Sequence, residues 1–259
     1  MPGTQDGLFQ LPEGFRRPYA QVIILTGPSG SGKTSLASRV GLLSISLDHF
    51  YRDDNEEGLP MLSEHVIDWD HPGSWNKEEA FAAIAQLCVE GETVIPIYDI
   101  PSNSRTGSGT VKLGKHRLFI AEGIFASELV PRLIEEGLLA DAICIARSPM
   151  RNAWFRFLRD VAESRKPVPL LVYRGVHLAR EEPQKIIQWR RQGCRAVNSL
   201  DTAEADIKLL RHRIRLAEIN GRRGSEGTTP KAAEGIGEAS KNASTDVMFS
   251  EPGDIFPQI

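Results

Sequence analysis

The chain has 259 residues, and its 31 Lys and Arg stand against 34 Asp and Glu, a formal net charge of −3. This balance leaves no electrostatic footprint for nucleic acid or an anionic membrane, so neither is expected as a partner. No apolar run approaches the roughly 20 residues that span a bilayer. With 41% hydrophobic residues, a sizeable globular core is expected. Cys88, Cys144 and Cys194 are odd in number and far apart. They predict reduced thiols and no disulfide framework. The N-terminal residues lack a basic segment followed by an apolar one, and together these features predict a cytoplasmic protein.

In chain order, residues 1–18 are rich in Gly, Pro and polar side chains and read as a mobile arm. Gln21 to Thr26 is an apolar, β-branched run suited to a strand buried on both faces. A Gly-rich octet follows, then a helical stretch over Lys33 to Val40. A second strand over Leu43 to Leu47 ends at Asp48, and a helix is predicted over Lys77 to Glu90. A short strand around Ile95 to Ile97 ends at Tyr98-Asp99, and Leu118 to Ala121 ends at Glu122-Gly123. A helix capped by Ser127 is expected to run to Glu136, followed by a strand over Ala142 to Ala146. Pro149, at a first helical turn, opens a helix reaching Arg165. Leu, Ile, Val and Phe make up roughly a sixth of residues 219–259, too few for a packed core. That stretch is expected to be a disordered tail behind a domain of residues 19–218. Strands alternating with helices imply right-handed crossovers and a doubly wound α/β domain with a parallel sheet.

The octet Gly27-Pro28-Ser29-Gly30-Ser31-Gly32-Lys33-Thr34, with Ser35 after it, is a complete phosphate-loop pattern between a predicted strand and a predicted helix. Gly30 and Gly32 let backbone N–H groups approach phosphate oxygens. The helix N-terminus adds its dipole, Lys33 reaches the β- and γ-phosphates, and the Thr34 hydroxyl suits a Mg²⁺ position. A nucleoside triphosphate is expected here. In an open α/β sheet, ligands sit at the carboxyl ends of the strands. Carboxylates there would repel a triphosphate unless a metal lies between, so Asp48 and Glu122 read as one base and one Mg²⁺-ordering group. Asp48 could also be a turn residue that caps a helix. The guanine-reading N/T-K-x-D pattern fails at the fourth position of Asn76-Lys77-Glu78-Glu79, and neither a transporter LSGG nor a helicase D-E-x-D/H box occurs.

Six ordered segments carry a family resemblance. GPSGSGKTS, LDHFYRDD (47–54), DWDHPGSW (68–75), PIYDIPSNSRTG (96–107), FIAEGIFA (119–126) and RFLRDVAESRK (156–166) resemble the uridine/cytidine kinases. The resemblance implies a three-layer P-loop NTPase sandwich with a helical lid, at about 149–170 in this chain. It also implies transfer of a phosphoryl group from ATP or GTP, with Mg²⁺, to the 5′-hydroxyl of a pyrimidine ribonucleoside. Position by position, Asp48 matches the aspartate that activates the hydroxyl, and Asp70 the one that holds the ribose hydroxyls. Tyr98 matches the tyrosine lining the base pocket, and Glu122 the acid near Mg²⁺. Arg156 and Arg159 match lid arginines that reach nucleoside and phosphates. Without the resemblance, the arginines read as a solvated helix face, Asp70 as a turn cap and Tyr98 as core.

Two departures stand out. Asn103 occupies the position of a family histidine that reads the pyrimidine edge, and Asn does not titrate. The lid's usual E-R-G-R reads Glu163-Ser164-Arg165-Lys166, and Lys lacks the planar fork with which Arg meets phosphate. Two rivals follow: a P-loop kinase for another alcohol, such as pantothenate or a sugar phosphate, and a nucleotide-binding regulatory module. The ATP/GTP choice and self-association are left open by the sequence.

Overall fold

The computed structural model describes residues 18–148, 150, 152 and 182–226. It divides into two units, Met1–Ala217 and Glu218–Ile259. In the second, the described residues are the end of a helix that closes at Glu226.

The first unit is built on five parallel strands: β1 (Gln21–Thr26), β2 (Ser44–Ser46), β7 (Leu118–Glu122), β8 (Leu139–Ile145) and β9 (Arg195–Val197). They lie in the order β2-β7-β1-β8-β9. In β1, Val22 to Leu25 are wholly buried, as a central strand covered on both faces requires. Ile23 and Leu25 face one layer with Ile120, Ile143, Ile145 and Val197. Covering them are α1 (Lys33–Val40), through Leu36 and Val40, and α5 (Leu200–Glu226), through Ala203 and Ile207. Helices α2 (Lys77–Glu90) and α3 (Val130–Glu135) pack on the sheet's opposite side, against β1 and β8 respectively. A further helix, α4, covers residues 182–191. The doubly wound parallel sheet is therefore present.

Among the described residues, two small antiparallel sheets accompany the parallel one. One pairs β3 (Met61–Ser63) with β4 (Val66–Ile67). The other pairs β5 (Glu92–Asp99) with β6 (Ser104–Lys112). This corrects the expectation that the strand ending at Tyr98-Asp99 belongs with the parallel ones. Its partner has the sequence SRTGSGTVK, with only Val111 buried. Such a segment carries little strand signal of its own and takes its conformation from pairing.

Helix ends follow local rules. Asn76 begins α2 by accepting the Glu79 N–H at 3.2 Å, while its amide donates to Glu79 Oε2 at 3.0 Å, a variant of the capping box. Gly91 closes α2 in the left-handed region and donates to the Leu87 carbonyl. Ser127 is not a cap. A 3₁₀ turn occupies Ala126–Leu129, α3 starts at Val130 with Pro131 in its first turn, and Ser127 Oγ is buried without a hydrogen-bond partner. The last helix also runs past residue 218 to Glu226, into the stretch read as disordered tail. Few aliphatics argue against a core, but extending an existing helix adds a hydrogen bond per residue fixed. Residues 227–259, the arm up to 17 and the lid helix, Arg156 and Arg159 included, lie outside the described residues.

Candidate active site

The order of the parallel strands determines which side chains meet. Reading across the carboxyl edge from β2 through β7 and β1 to β8, the chain leaves each strand at Asp48, Glu122, the 27–34 loop and Arg147. Adjacent strands are about 4.8 Å apart, so these groups form one row.

The loop has the conformation its glycines permit. Gly30 and Gly32 take φ of 80° and 93°, in the left-handed region. A Cβ on Gly32 would also lie 2.9 Å from a Leu200 methyl carbon, which would have to shift, so the backbone conformation is the stronger reason for glycine there. Ser31 N–H donates to the Pro28 carbonyl at 3.1 Å and tightens the turn. Lys33 is 8% exposed, and its Nζ donates to the Gly27 and Pro28 carbonyls at 3.0 and 3.3 Å.

Beside the loop, Thr34 Oγ1 donates to Glu122 Oε1 at 2.8 Å. Glu122 sits in register with Leu25 and Ser46 on its two neighbours and is buried. Desolvation raises its pKa, and the nearby Asp48 charge adds to the rise. Lys33 and the Thr34 hydroxyl oppose it. Asp48 lies in a 3₁₀ turn, Leu47–Phe50, whose cap is Ser46: its Oγ accepts the Asp48 N–H at 3.4 Å. The capping role is thus filled by another residue. Gly123 leaves room for Leu47, because a Cβ there would lie 3.1 Å from Leu47 Cβ, while Asp48 Oδ1 would sit at an ordinary contact distance of 3.5 Å.

No cluster of three or more His, Cys, Asp or Glu suited to a metal occurs among the described residues. Mg²⁺ at a phosphate site needs less: one or two carboxylates with phosphate and water oxygens. Thr34, Glu122 and Asp48 supply oxygen donors of that kind, and a divalent cation would offset the charge that burial penalises on Glu122. A raised carboxyl pKa carries a sign. The stability linked to Glu122 is full below the ordinary glutamate range and is lost as pH rises through its folded value. Glu122→Gln, which keeps an acceptor for Thr34, is therefore expected to raise Tm at neutral pH. The gain should vanish near pH 4.5, the ordinary glutamate value; thermal melts of both proteins across this range check it.

An aromatic group gathers around Tyr51, which follows the 47–50 turn. The Tyr51 ring is 5.8 Å from both Trp69 and Tyr98 and 6.0 Å from Phe125, and Trp75 is 5.8 Å from Phe125. Tyr98 is 4% exposed and donates its hydroxyl to the Arg52 carbonyl at 3.3 Å. Its burial is that of a core residue. Burial and neighbouring carboxylates push that hydroxyl up to about 12. Asp70 is half-buried. The turn beside it is capped by His71, whose Nδ1 accepts the Gly73 N–H, while Asp68 accepts the Asp70 N–H. Asn103 holds φ 48°, a region that Asn and His tolerate better than most residues.

Several participants are invisible in the sequence pattern. His49 Nδ1 accepts the Tyr98 N–H at 3.2 Å, and burial lowers its pKa, favouring the neutral ring that can accept. Arg105 donates its guanidinium to both Glu79 oxygens and its backbone N–H to Asp53 Oδ1, tying the β5–β6 hairpin to α2 and the 52–54 loop. The capping pair Asn76 and Glu79 was the available signal, since it fixes a carboxylate at the start of α2.

A phosphate loop between a buried parallel strand and a helix, with carboxylates at the two adjoining strand ends, defines a P-loop NTPase domain. No family model matches the chain. It is 28% identical to a uridine kinase of Schizosaccharomyces pombe over 56% of this chain and 37% of that protein. It is 30% identical to one of Lactiplantibacillus plantarum over 42% and 53%, and 27% identical to one of Bacillus pumilus over 64% and 80%. The chain is thus similar to uridine kinases over part of its length. It spans about half or less of the first three relatives, the Saccharomyces cerevisiae uridine kinase being covered over 29%. Among solved structures, a putative fructose transport system kinase from Silicibacter superposes with TM-score 0.48 at 18% identity, covering 65% of this chain and 87% of that one. A possible uridine kinase from Bacillus stearothermophilus superposes with TM-score 0.38 at 16% identity, over 58% and 83%.

Proposed function

We propose that the chain is a nucleoside kinase, transferring the γ-phosphoryl of ATP or GTP to the 5′-hydroxyl of a pyrimidine ribonucleoside. The observation that carries this reading is the convergence of Lys33, Thr34, Glu122 and Asp48 on one stretch of the sheet edge, with aromatic rings beyond Asp48. The kinase names of its relatives support the phosphoryl-transfer class, and the aromatic rings suit a planar base.

In this reading the 27–35 backbone holds the β- and γ-phosphates of the donor. Lys33 releases the Gly27 and Pro28 carbonyls to meet them. Thr34 and Glu122, with Asp48, would hold Mg²⁺, which supplies charge neutralisation on the transferring group when bound. Asp48 orients the acceptor hydroxyl and takes its proton. Asp70 holds the ribose diol, and Tyr98 walls the base site. Arg156 and Arg159 would close over the phosphates and exclude water, which otherwise competes as acceptor.

A panel of ribonucleosides with ATP or GTP and Mg²⁺, scored by product mass, tests this directly. Phosphorylation of uridine or cytidine supports it. Turnover confined to pantothenate or a sugar phosphate would replace it with the rival kinase reading. The same panel run on Asn103→His is expected to show a higher ratio of pyrimidine to purine turnover. His tolerates the left-handed backbone and provides a titratable ring at the base-reading position. An unchanged acceptor profile would remove Asn103 from the substrate-binding residues.

A further inference from the structure

Arg147 leaves β8 on the side of the phosphate loop away from the carboxylates, and none of the family motifs includes it. Its Nη1 donates to the Ser31 carbonyl at 3.3 Å, and it lies 3.5 Å from the position a Gly32 Cβ would occupy. We propose that Arg147 is a positioning residue of the donor site, fixing the Ser31–Gly32 peptide so that the Gly32 N–H is aimed into the phosphate cradle. The proposal rests on the phosphoryl-transfer reading.

The argument is geometric. The described chain has no cis peptide bonds, and in a trans peptide the C=O and N–H of one unit point in opposite directions. Holding the Ser31 carbonyl outward on a guanidinium therefore turns the Gly32 N–H inward. Gly32, with φ 93° and no side chain, has little intrinsic conformational preference, so a contact from outside the loop can set its peptide orientation. Lys33 works on a different part of the loop, at the Gly27 and Pro28 carbonyls.

Arg147 is itself held. Its carbonyl accepts from Asn152 Nδ2 at 3.3 Å, and the same amide donates to Glu182 Oε2 at 3.0 Å. Asn152 is fully buried and Glu182 2% exposed, so this polar pair is enclosed, where such bonds are strong and costly to break. A chain of contacts thus runs from α4 through Asn152 and Arg147 to the loop.

The test is calorimetric titration of Mg·ATP into the protein without acceptor, alongside steady-state kinetics. For Arg147→Met, Mg·ATP affinity is expected to weaken by about tenfold, with a matching rise in KM for ATP and no change in KM for the acceptor. Arg147→Lys, which keeps the charge and loses the planar fork, should recover part of the affinity. Wild-type affinity in Arg147→Met overturns the proposal, as does a lowered Tm with unchanged affinity per folded molecule. If the wild-type chain binds no Mg·ATP, the function and this inference fall together. If the wild type binds Mg·ATP and Arg147→Met binds it equally well, the inference alone falls.

Discussion

Asp48→Asn is expected to lower kcat by about 10²- to 10⁴-fold while leaving Mg·ATP affinity within a few-fold of wild type. The substitution keeps the shape of the side chain and removes the proposed proton acceptor. It also removes a negative charge beside buried Glu122, so the folded protein is relieved of some repulsion and Tm should hold or rise slightly. A residue that merely capped the 47–50 turn would behave differently. Its loss would cost about 1 kcal/mol of stability with turnover per folded molecule retained. The cap there is Ser46, so the expected pattern is loss of kcat without loss of Tm. Kinetics and melting on one preparation decide between them, and retained turnover with a lower Tm would strike Asp48 from the catalytic residues.

The second large effect is at Lys33. Lys33→Met keeps the apolar stem and removes the charge that would meet the γ-phosphoryl oxygens. Loss of one such electrostatic group typically costs about 10²- to 10³-fold in kcat. The lysine is not a bystander in the fold, though. It is buried, it donates to two loop carbonyls, and its charge opposes the raised pKa of Glu122. Tm should therefore fall at neutral pH and recover in part in Lys33→Met/Glu122→Gln, where the buried Glu122 charge is removed as well. Full activity in Lys33→Met would overturn the phosphate-binding assignment. A fall in Tm that the double substitution leaves unrelieved would show that the carbonyl contacts, and not the charge balance, account for the stability.

The elements that could be read from sequence are those whose signals are local. β1 shows itself as an unbroken apolar run, and α1 and α2 each end at a glycine in the left-handed region, Gly41 and Gly91. Asp48 and Glu122 stand out because a carboxylate directly after an apolar strand has few other reasons to be there. The parts that escaped depend on distant partners. β6 becomes a strand only against β5, and three-residue β9 only against the edge of β8. The start of α3 was misplaced because Ser127 resembles a cap, whereas Pro131 in the first turn was the better guide. His49, Arg105 and Arg147 act through the Tyr98 N–H, Glu79 and the Ser31 carbonyl, and no spacing along the chain announces those pairings.

The strand order also governs the timing of assembly. β1 carries the phosphate loop and is made early, yet it lies between β7 and β8: Gln21 pairs with Leu118, and Ile23 with Asp141. Both partners leave the ribosome roughly a hundred residues later, and non-local pairings of that kind are slow to form. Until then the apolar run Val22 to Leu25 has no neighbour, and a nascent chain is exposed to aggregation. The β5–β6 hairpin, whose strands are joined by a short turn, has no such wait. The hairpin that carries Tyr98 can thus take shape while the strand that leads into the Gly-rich loop is still unpaired.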